Sequence, residues 1–127
     1  MQDPGMQQVA CGIMYDNQGK ILMGLRAAGS EQGGFWEFPG GKCEDGETIE
    51  QCLVREWREE LNLTIHISRE IYRHVEEDKY VCRFFIGRIL DQEKIEMRVH
   101  EQLRFVNRNE MEGLNMFPGD KHLLNVL

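Results

Sequence analysis

The segment from Gly41 to Leu63 reads GKCEDGETIEQCLVREWREELNL and contains the clearest helix signal in the chain. It predicts an α-helix over Thr48 to Leu61, because Thr48 and Gln51 have the T-x-x-Q spacing of a capping box. Asn62 follows and tolerates the left-handed conformation in which many helices end. Apolar side chains recur every four residues and give the helix one buried stripe: Ile49, Leu53, Trp57 and Leu61.

Acidic residues crowd the same segment, with seven of the chain's 22 acids between Glu44 and Glu60. Glu56, Glu59 and Glu60 stand at i, i+3 and i+4, so they share one helical face beside the apolar stripe. Like-charge repulsion and desolvation oppose this arrangement, and the negative end of the helix dipole adds to them. A divalent cation removes the conflict, and an all-oxygen ligand set favours Mg²⁺ or Mn²⁺. A solvated acidic helix face is the alternative.

The residues just before the helix, Gly40-Gly41-Lys42, offer close backbone approach and one cation. A metal ion held by carboxylates keeps several waters and binds the phosphates of a substrate. Such an ion also acidifies a bound water and stabilises charge on phosphoryl oxygens. The glycines, the lysine and the acidic helix together indicate phosphoryl or pyrophosphoryl chemistry.

The rest of the chain alternates between strands and turns and closes with a second helix. Short apolar runs between turn residues are typical of strands, and Pro118 is expected to open the last helix, because proline suits a first helical turn. The predicted strands are Val9–Tyr15 and Ile21–Leu25, which form a hairpin, then Ile65–Val75, Tyr80–Ile89 and Leu103–Val106. This order predicts an α/β fold, a sandwich with a mixed sheet between helices.

Length and composition limit the classes of protein that the chain can represent. The chain has 127 residues, of which 41% are hydrophobic, so residues 7–127 are expected to form one domain. Residues 1–6 are expected to be a flexible start or the remnant of an expression tag. A net charge of −7 disfavours a polynucleotide partner, and no apolar run approaches the roughly 18 residues that cross a membrane.

The cysteines and the N-terminus favour a cytoplasmic protein. No basic and apolar leader precedes the first strand, which disfavours secretion. The cysteines are too scattered for a zinc site or a disulfide framework and are expected to be reduced. They are Cys11, Cys43, Cys52 and Cys82.

The segment quoted above resembles the Nudix box, G-x5-E-x7-R-E-U-x-E-E-x-G-U, where U is a bulky apolar residue. The matching positions are Gly41, Glu47, Arg55, Glu56, Trp57, Glu59, Glu60 and Leu63. Asn62 replaces the last glycine, and asparagine readily takes the same left-handed conformation. Similarity to the MutT-like branch of the family extends to LRAA at 25–28, FWEFPGGK at 35–42 and FPGDKHLL at 117–124. The resemblance implies a Nudix-type α/β/α sandwich.

The resemblance also implies roles for the acidic residues. Those expected to bind divalent ions are Glu56, Glu59, Glu60, Glu101 from a later loop, and Gly40 through its carbonyl oxygen. The base that activates the attacking water is expected to be Glu56 or Glu101, and Glu59 is the third catalytic candidate. An exposed loop acid without a function is the alternative for Glu101.

Three other positions of the box are expected to be structural. Gly41 is one of them, and Glu47 and Arg55 are expected to pair and so brace the loop against the helix. The alternative is a plain surface ion pair, which would contribute only about 0–1 kcal/mol to stability.

Four residues are expected to hold the substrate, three of them at positions that do so in this family. Arg26 and Lys42 are expected to bind phosphates, and each is otherwise a surface cation. Asp120 occupies the position that recognises the nucleobase in this family. An ionised carboxylate only accepts hydrogen bonds, so it suits the N–H donors of guanine-like or cytosine-like bases. Phe38 is expected to pack on the base, with a core position as the alternative.

Three functions are compatible with these residues. The first is a Mg²⁺-dependent pyrophosphohydrolase that converts a nucleoside triphosphate, including oxidised forms, to the monophosphate and pyrophosphate. The second keeps the same chemistry on another nucleoside diphosphate derivative, such as ADP-ribose or a dinucleoside polyphosphate. The third is a non-catalytic nucleotide-binding module. In each case the expected partner is a nucleotide rather than a membrane or a polynucleotide, and the protein is a monomer or a homodimer.

Overall fold

The computed structural model describes residues 5–30 and 33–127, and in this part of the chain seven strands form one mixed sheet. The strands are β1 (Gln7–Tyr15), β2 (Ile21–Leu25), β3 (Trp36–Glu37), β4 (Gly40–Lys42), β5 (Ile65–Glu76), β6 (Tyr80–Ile89) and β7 (Gln102–Val106). The helices are α1 (Ile49–Leu61), α2 (Arg108–Glu112) and α3 (Pro118–Lys121), with 3-10 turns at Gln92–Lys94 and His122–Asn125.

The central strands of the sheet are β1 and β6, which run parallel to each other. The sheet order is β3-β2-β1-β6-β5, and β4 also pairs with β1 and β7 with β2. These other pairings are antiparallel. Cys11 of β1 lies opposite Gly40 of β4, so the central strand anchors the segment that leads into α1.

Helices cover both faces of the sheet, which confirms the predicted α/β sandwich. Successive side chains of β1 alternate between two cores, because side chains of a strand point to opposite faces. One core joins β1 to α1 and includes Ala10, Met14, Leu53, Trp57 and Leu61. The other core lies under α2 and the C-terminal 3-10 turn and includes Cys11, Ile13, Met111 and Leu123.

The predicted ends of α1 are confirmed by their hydrogen bonds. Thr48 Oγ1 accepts the N–H of Gln51 at 3.1 Å, and Gln51 Oε1 accepts the N–H of Thr48 at 2.9 Å. Asn62 ends the helix in the left-handed conformation with φ 57°. Its N–H donates to the carbonyls of Arg58 and Trp57.

Most other predicted elements are present, with bounds shifted by one or two residues. Pro118 opens α3, as expected. An additional helix, α2, is a single turn that the sequence pattern does not predict and that Asn107 and Glu110 cap reciprocally. The start predicted for residues 1–6 lies outside the described residues except for Gly5 and Met6. Among the described helices, none has both the length and the apolar character needed to span a bilayer.

The left-handed end of α1 gives a first testable expectation. Asn62 donates from Nδ2 to the carbonyl of Lys94 at 3.1 Å and to Glu96 Oε2 at 3.0 Å. Alanine would make neither hydrogen bond, and its Cβ would still carry the steric cost of the left-handed conformation. Asn62→Ala is therefore expected to lower the free energy of unfolding by about 1–2 kcal/mol, as measured by urea denaturation.

The control for this change is Asn62→Gly. It removes the same two hydrogen bonds, but glycine takes positive φ without a steric penalty. The glycine variant should therefore be more stable than the alanine variant. An alanine variant as stable as the wild type would contradict the expectation.

Candidate active site

A cavity of about 380 Å³ opens beside the glycines that precede α1. The cavity is lined by residues from β1, β3, β4, the end of α1, the β5–β6 hairpin and α3. Of the sequence-predicted site residues, those that line the cavity are Arg26, Phe38, Gly40, Gly41, Lys42, Glu60 and Asp120. The sheet thus gathers into one cavity residues that are far apart in the sequence.

Glu56 and Glu60 form a pair of carboxyl groups one turn apart at the end of α1. Their side chains are only 15% and 14% exposed. Burial, and then the adjacent carboxylate of Glu56, raise the pKa of Glu60 to about 9. Two largely buried acids that oppose each other's ionisation are a fitting oxygen-only site for a hard divalent cation.

Glu59 does not join this pair in the structure. Its Oε2 atom accepts a hydrogen bond from Nη1 of Arg55 at 3.1 Å, and its side chain is 57% exposed. The same Nη1 atom donates to Glu56 Oε1 at 2.8 Å. The i, i+4 spacing that brings Glu60 beside Glu56 also brings Glu59 beside Arg55. Glu59 therefore pairs with a guanidinium and does not join the two carboxyl groups.

The predicted pair of Glu47 and Arg55 is brought together in a two-pronged contact. Arg55 Nη2 lies 2.7 Å from Glu47 Oε1, and Arg55 Nε lies 3.0 Å from Glu47 Oε2. These hydrogen bonds hold the pKa of Glu47 at about 2. Arg55 also donates to the carbonyl of Lys42 at 3.1 Å. One guanidinium thus joins the loop, the end of β4 and the acidic face of α1.

Two residues at the same cavity were missed in the sequence, Glu37 and His100. His100 is buried, and its Nε2 atom lies 2.8 Å from Glu37 Oε2 and 4.0 Å from Glu60 Oε1. Glu37 also accepts a hydrogen bond from Nη1 of Arg26 at 2.9 Å. Arg26, Glu37, His100 and Glu60 thus form a continuous row of polar side chains that ends at the Glu56–Glu60 pair. Gly24 in β2 could have indicated the position of His100, because a glycine inside a strand often marks a place where another group packs closely against the backbone. A Cβ at Gly24 would lie 2.6 Å from His100 Nε2.

Glu101 lies next to this group but its side chain is exposed and is not part of the cavity wall. Its N–H donates to the carbonyl of Leu25 at 2.8 Å, which holds the start of β7 against β2. The structure therefore brings Glu56 and Glu60 together and leaves Glu59 and Glu101 apart from them. The expectation that all four bind the metal stays a prediction.

The residues expected to bind the substrate lie along the cavity. Lys42 is exposed, with Nζ 5.3 Å from the ring centroid of Tyr80, and the Arg26 guanidinium lies 5.8 Å from the ring of Phe117. Phe38 is a core residue that packs edge-on against Phe84 and also lines the cavity, and its contact with a base stays a prediction.

Asp120 is one of two polar residues that are almost fully buried in the described part of the chain, with 4% exposure. Its Oδ2 atom accepts the backbone N–H of Phe38 at 2.8 Å. Burial raises the pKa of Asp120 well above its usual range, and the nearby charges of Glu37 and Glu76 add to this effect. The cavity therefore contains an acid that takes up a proton readily.

The family model of the NUDIX domain matches residues 5–126, and the chain belongs to the Nudix family. An 8-oxo-dGTP diphosphatase from Proteus vulgaris is 43% identical over 65 residues, which are 51% of this chain and 58% of that protein. A CTP pyrophosphohydrolase from Escherichia coli (strain K12) is 43% identical over 72 residues, which are 57% of this chain and 53% of that protein. The aligned parts thus cover little more than half the length of these relatives.

Among solved structures, the solution structure of the E. coli ORF135 protein has the same fold with a TM-score of 0.77. It is 32% identical, and the match covers 94% of this chain and 86% of that chain. The resemblance to the Nudix box and the predicted fold class are both confirmed by these findings.

Proposed function

We propose that the protein is a divalent-cation-dependent hydrolase that converts a nucleoside triphosphate to the nucleoside monophosphate and pyrophosphate, with Mg²⁺ as the working ion. The observation that carries the proposal is the largely buried pair of Glu56 and Glu60 beside Gly40 and Gly41. Family membership supports it, because the similar proteins are named as diphosphatases or pyrophosphohydrolases of 8-oxo-dGTP and CTP. The four free thiols suit a cytoplasmic protein.

The residues that would hold the cation are Glu56 and Glu60, with Gly40 through its carbonyl oxygen. A bound divalent ion supplies charge neutralisation at phosphoryl oxygens and makes a water molecule more acidic. Glu59 and Glu101 would need to reorient before they could add ligands, because they now face Arg55 and solvent. Glu56 is a candidate base for the attacking water, since Arg55 orients its carboxylate at 2.8 Å, and Glu101 is the other candidate.

The cavity supports a nucleotide with its phosphates near β4 and its base near α3. Lys42 and Arg26 would neutralise phosphate charge, and the pairing of Arg26 with Glu37 would loosen when phosphate competes for the guanidinium. Phe38 and Asp120 line the same cavity and supply an aromatic surface and a hydrogen-bonding group for the base.

Pyrophosphate release from a panel of nucleotides tests the proposal. The panel contains 8-oxo-dGTP, dGTP, CTP, dCTP and 5-hydroxy-CTP, with ADP-ribose as the other substrate class. We expect pyrophosphate from at least one triphosphate. Excess EDTA should reduce the rate by about 100-fold or more, because several kcal/mol of charge stabilisation are lost, and Mg²⁺ should restore it.

The products separate the three candidate functions. Cleavage of ADP-ribose without pyrophosphate release would favour the second function. Tight nucleotide binding in calorimetry, with no hydrolysis in Mg²⁺ or Mn²⁺, would favour a binding module and contradict the proposal.

A further inference from the structure

The β5–β6 hairpin places three polar side chains together beside the cavity, His74, Glu76 and Cys82. Their ligand atoms all lie within 4.8 Å of one another. His74 Nε2 lies 3.2 Å from Glu76 Oε1, and Cys82 Sγ lies 4.0 Å from Glu76 Oε2. The His74 ring is itself stacked on Phe84, with centroids 5.7 Å apart. Glu76 is thus held by a neighbour at each carboxylate oxygen, while its side chain stays 24% exposed.

Glu76 faces the same part of the cavity as Asp120. Its carboxylate packs directly on Gly119, where an added Cβ would lie 2.9 Å from Glu76 Cδ. Both acids line the cavity, one from the end of β5 and one from α3. Burial, followed by the charges of Glu76 and Asp120, raises the pKa of the intervening Cys82 thiol to about 12, so Cys82 remains a weak donor rather than an anion.

Two carboxyl groups make this part of the cavity rich in hydrogen-bond acceptors. Even when the pair binds one proton, it offers more accepting oxygens than donors. Asp120 accepts one hydrogen bond from Phe38, and each oxygen of Glu76 has one neighbour, so each acid still has lone pairs for a ligand because a carboxylate offers about four. Uracil and thymine present two carbonyl oxygens around a single N–H, so one carbonyl oxygen would face a carboxylate. Cytosine and guanine present an exocyclic amino group, which donates two hydrogen bonds.

We propose that Glu76 is a specificity-determining residue that acts with Asp120 to select nucleobases carrying an exocyclic amino group. This inference rests on the proposed function, because it assigns the base end of the same cavity. His74 and Cys82 are positioning residues that keep the carboxylate aimed at the base. Glu76 has no counterpart among the residues that the Nudix resemblance assigned to substrate binding.

Two pairs of substrates test the amino group. GTP and ITP differ only in the amino group on the purine. CTP and UTP differ in an amino group against a carbonyl and also at N3, which accepts a hydrogen bond in cytosine and donates one in uracil. We expect the wild type to have a higher kcat/KM for CTP than for UTP and for GTP than for ITP. Glu76→Gln keeps the shape and replaces one accepting oxygen with a donating amide.

In Glu76→Gln, the CTP-to-UTP ratio of kcat/KM is expected to fall by about 10- to 100-fold, the range for one hydrogen bond to a charged group. The kcat/KM for CTP should fall while the kcat/KM for UTP rises. A merely structural defect would lower both values. Glu93→Gln, at an exposed acid on the first 3-10 turn, is the matched control and should leave both ratios unchanged. Thermal denaturation checks that both variants are folded.

The outcomes separate this inference from the proposed function. An unchanged ratio in folded Glu76→Gln, or a wild type that does not discriminate within either pair, would overturn the inference while leaving hydrolysis intact. If no nucleotide is hydrolysed, the proposed function fails, and the same ratios are then measured as dissociation constants by calorimetry. Equal binding of CTP and UTP by both proteins would overturn the inference there too.

Discussion

Glu60→Gln is expected to lower kcat/KM by about 10²- to 10⁴-fold, because a lost metal ion removes several kcal/mol of charge stabilisation. The same change is expected to stabilise the metal-free protein. Glutamine has nearly the same shape as glutamate, but it carries no charge to desolvate beside Glu56. Lower activity together with higher stability is typical of a residue kept for function.

The stability gain depends on pH in a defined direction. The pKa of Glu60 is raised from 4.5 to about 9 in the folded protein, so folding takes up a proton between these values. The stability of the metal-free wild type should therefore fall as the pH rises through this window, whereas glutamine does not titrate. At pH 8 in EDTA, we expect the variant to be more stable by about 1–3 kcal/mol. This gain is smaller than the free energy that corresponds to the whole pKa change, because the site can relax.

Thermal denaturation with EDTA and with Mg²⁺ measures this effect. The wild type should gain stability when Mg²⁺ is added, and Glu60→Gln should not. Glu50→Gln, an exposed acid in the first turn of the same helix, is the control and should keep both activity and the response to Mg²⁺. A Glu60→Gln protein that turns over normally, or that is less stable than the wild type in EDTA, would contradict the assignment of the site.

The parts of the fold predicted most accurately are those determined by neighbouring residues. The ends of α1 follow from Thr48, Gln51 and Asn62, whose capping hydrogen bonds all reach residues at most five positions away. α2 has only five residues, too few for an apolar period to emerge, so only its reciprocal cap at Asn107 could have signalled it. The short strands β3 and β4 depend on partners far along the chain, as in the pairing of Gly40 with Cys11.

The candidate site also has a part that neighbouring residues determine and a part that depends on residues far along the chain. The acids of α1 could be listed because a helix gives them a known spacing, but their conformations depend on the nearest opposite charge. Arg55 supplies that charge for Glu59. Glu37 and His100 are 63 residues apart and meet only through the sheet. Glu76 meets Gly119 in the same indirect way, so its place in the cavity required the structure.

Gly41→Ala is expected to lower kcat/KM by about 10²-fold while the protein stays folded, because a misplacement of about 1 Å at a reacting group costs this much. A Cβ at Gly41 would overlap Cδ of Glu56 and lie 2.5 Å from its Oε2 atom. This carboxylate is the far end of a flexible side chain, so it would swing aside rather than unfold the helix. The displacement would separate Glu56 from Glu60 and weaken its 2.8 Å contact with Arg55.

Two other glycines show whether position or folding is responsible. Gly40→Ala would direct its Cβ into the backbone of Ala10 across the β1–β4 pairing, with Ala10 C at 2.9 Å. Backbone in the central strand cannot swing aside, so this variant should lose stability by about 1–3 kcal/mol or more. Gly113→Ala meets only Glu110 O at 3.5 Å and should change neither property. Urea denaturation and steady-state kinetics on all three variants make the comparison. Full activity in Gly41→Ala would show that the carboxylate of Glu56 need not lie against this glycine, and the catalytic role given to Glu56 would fail with it.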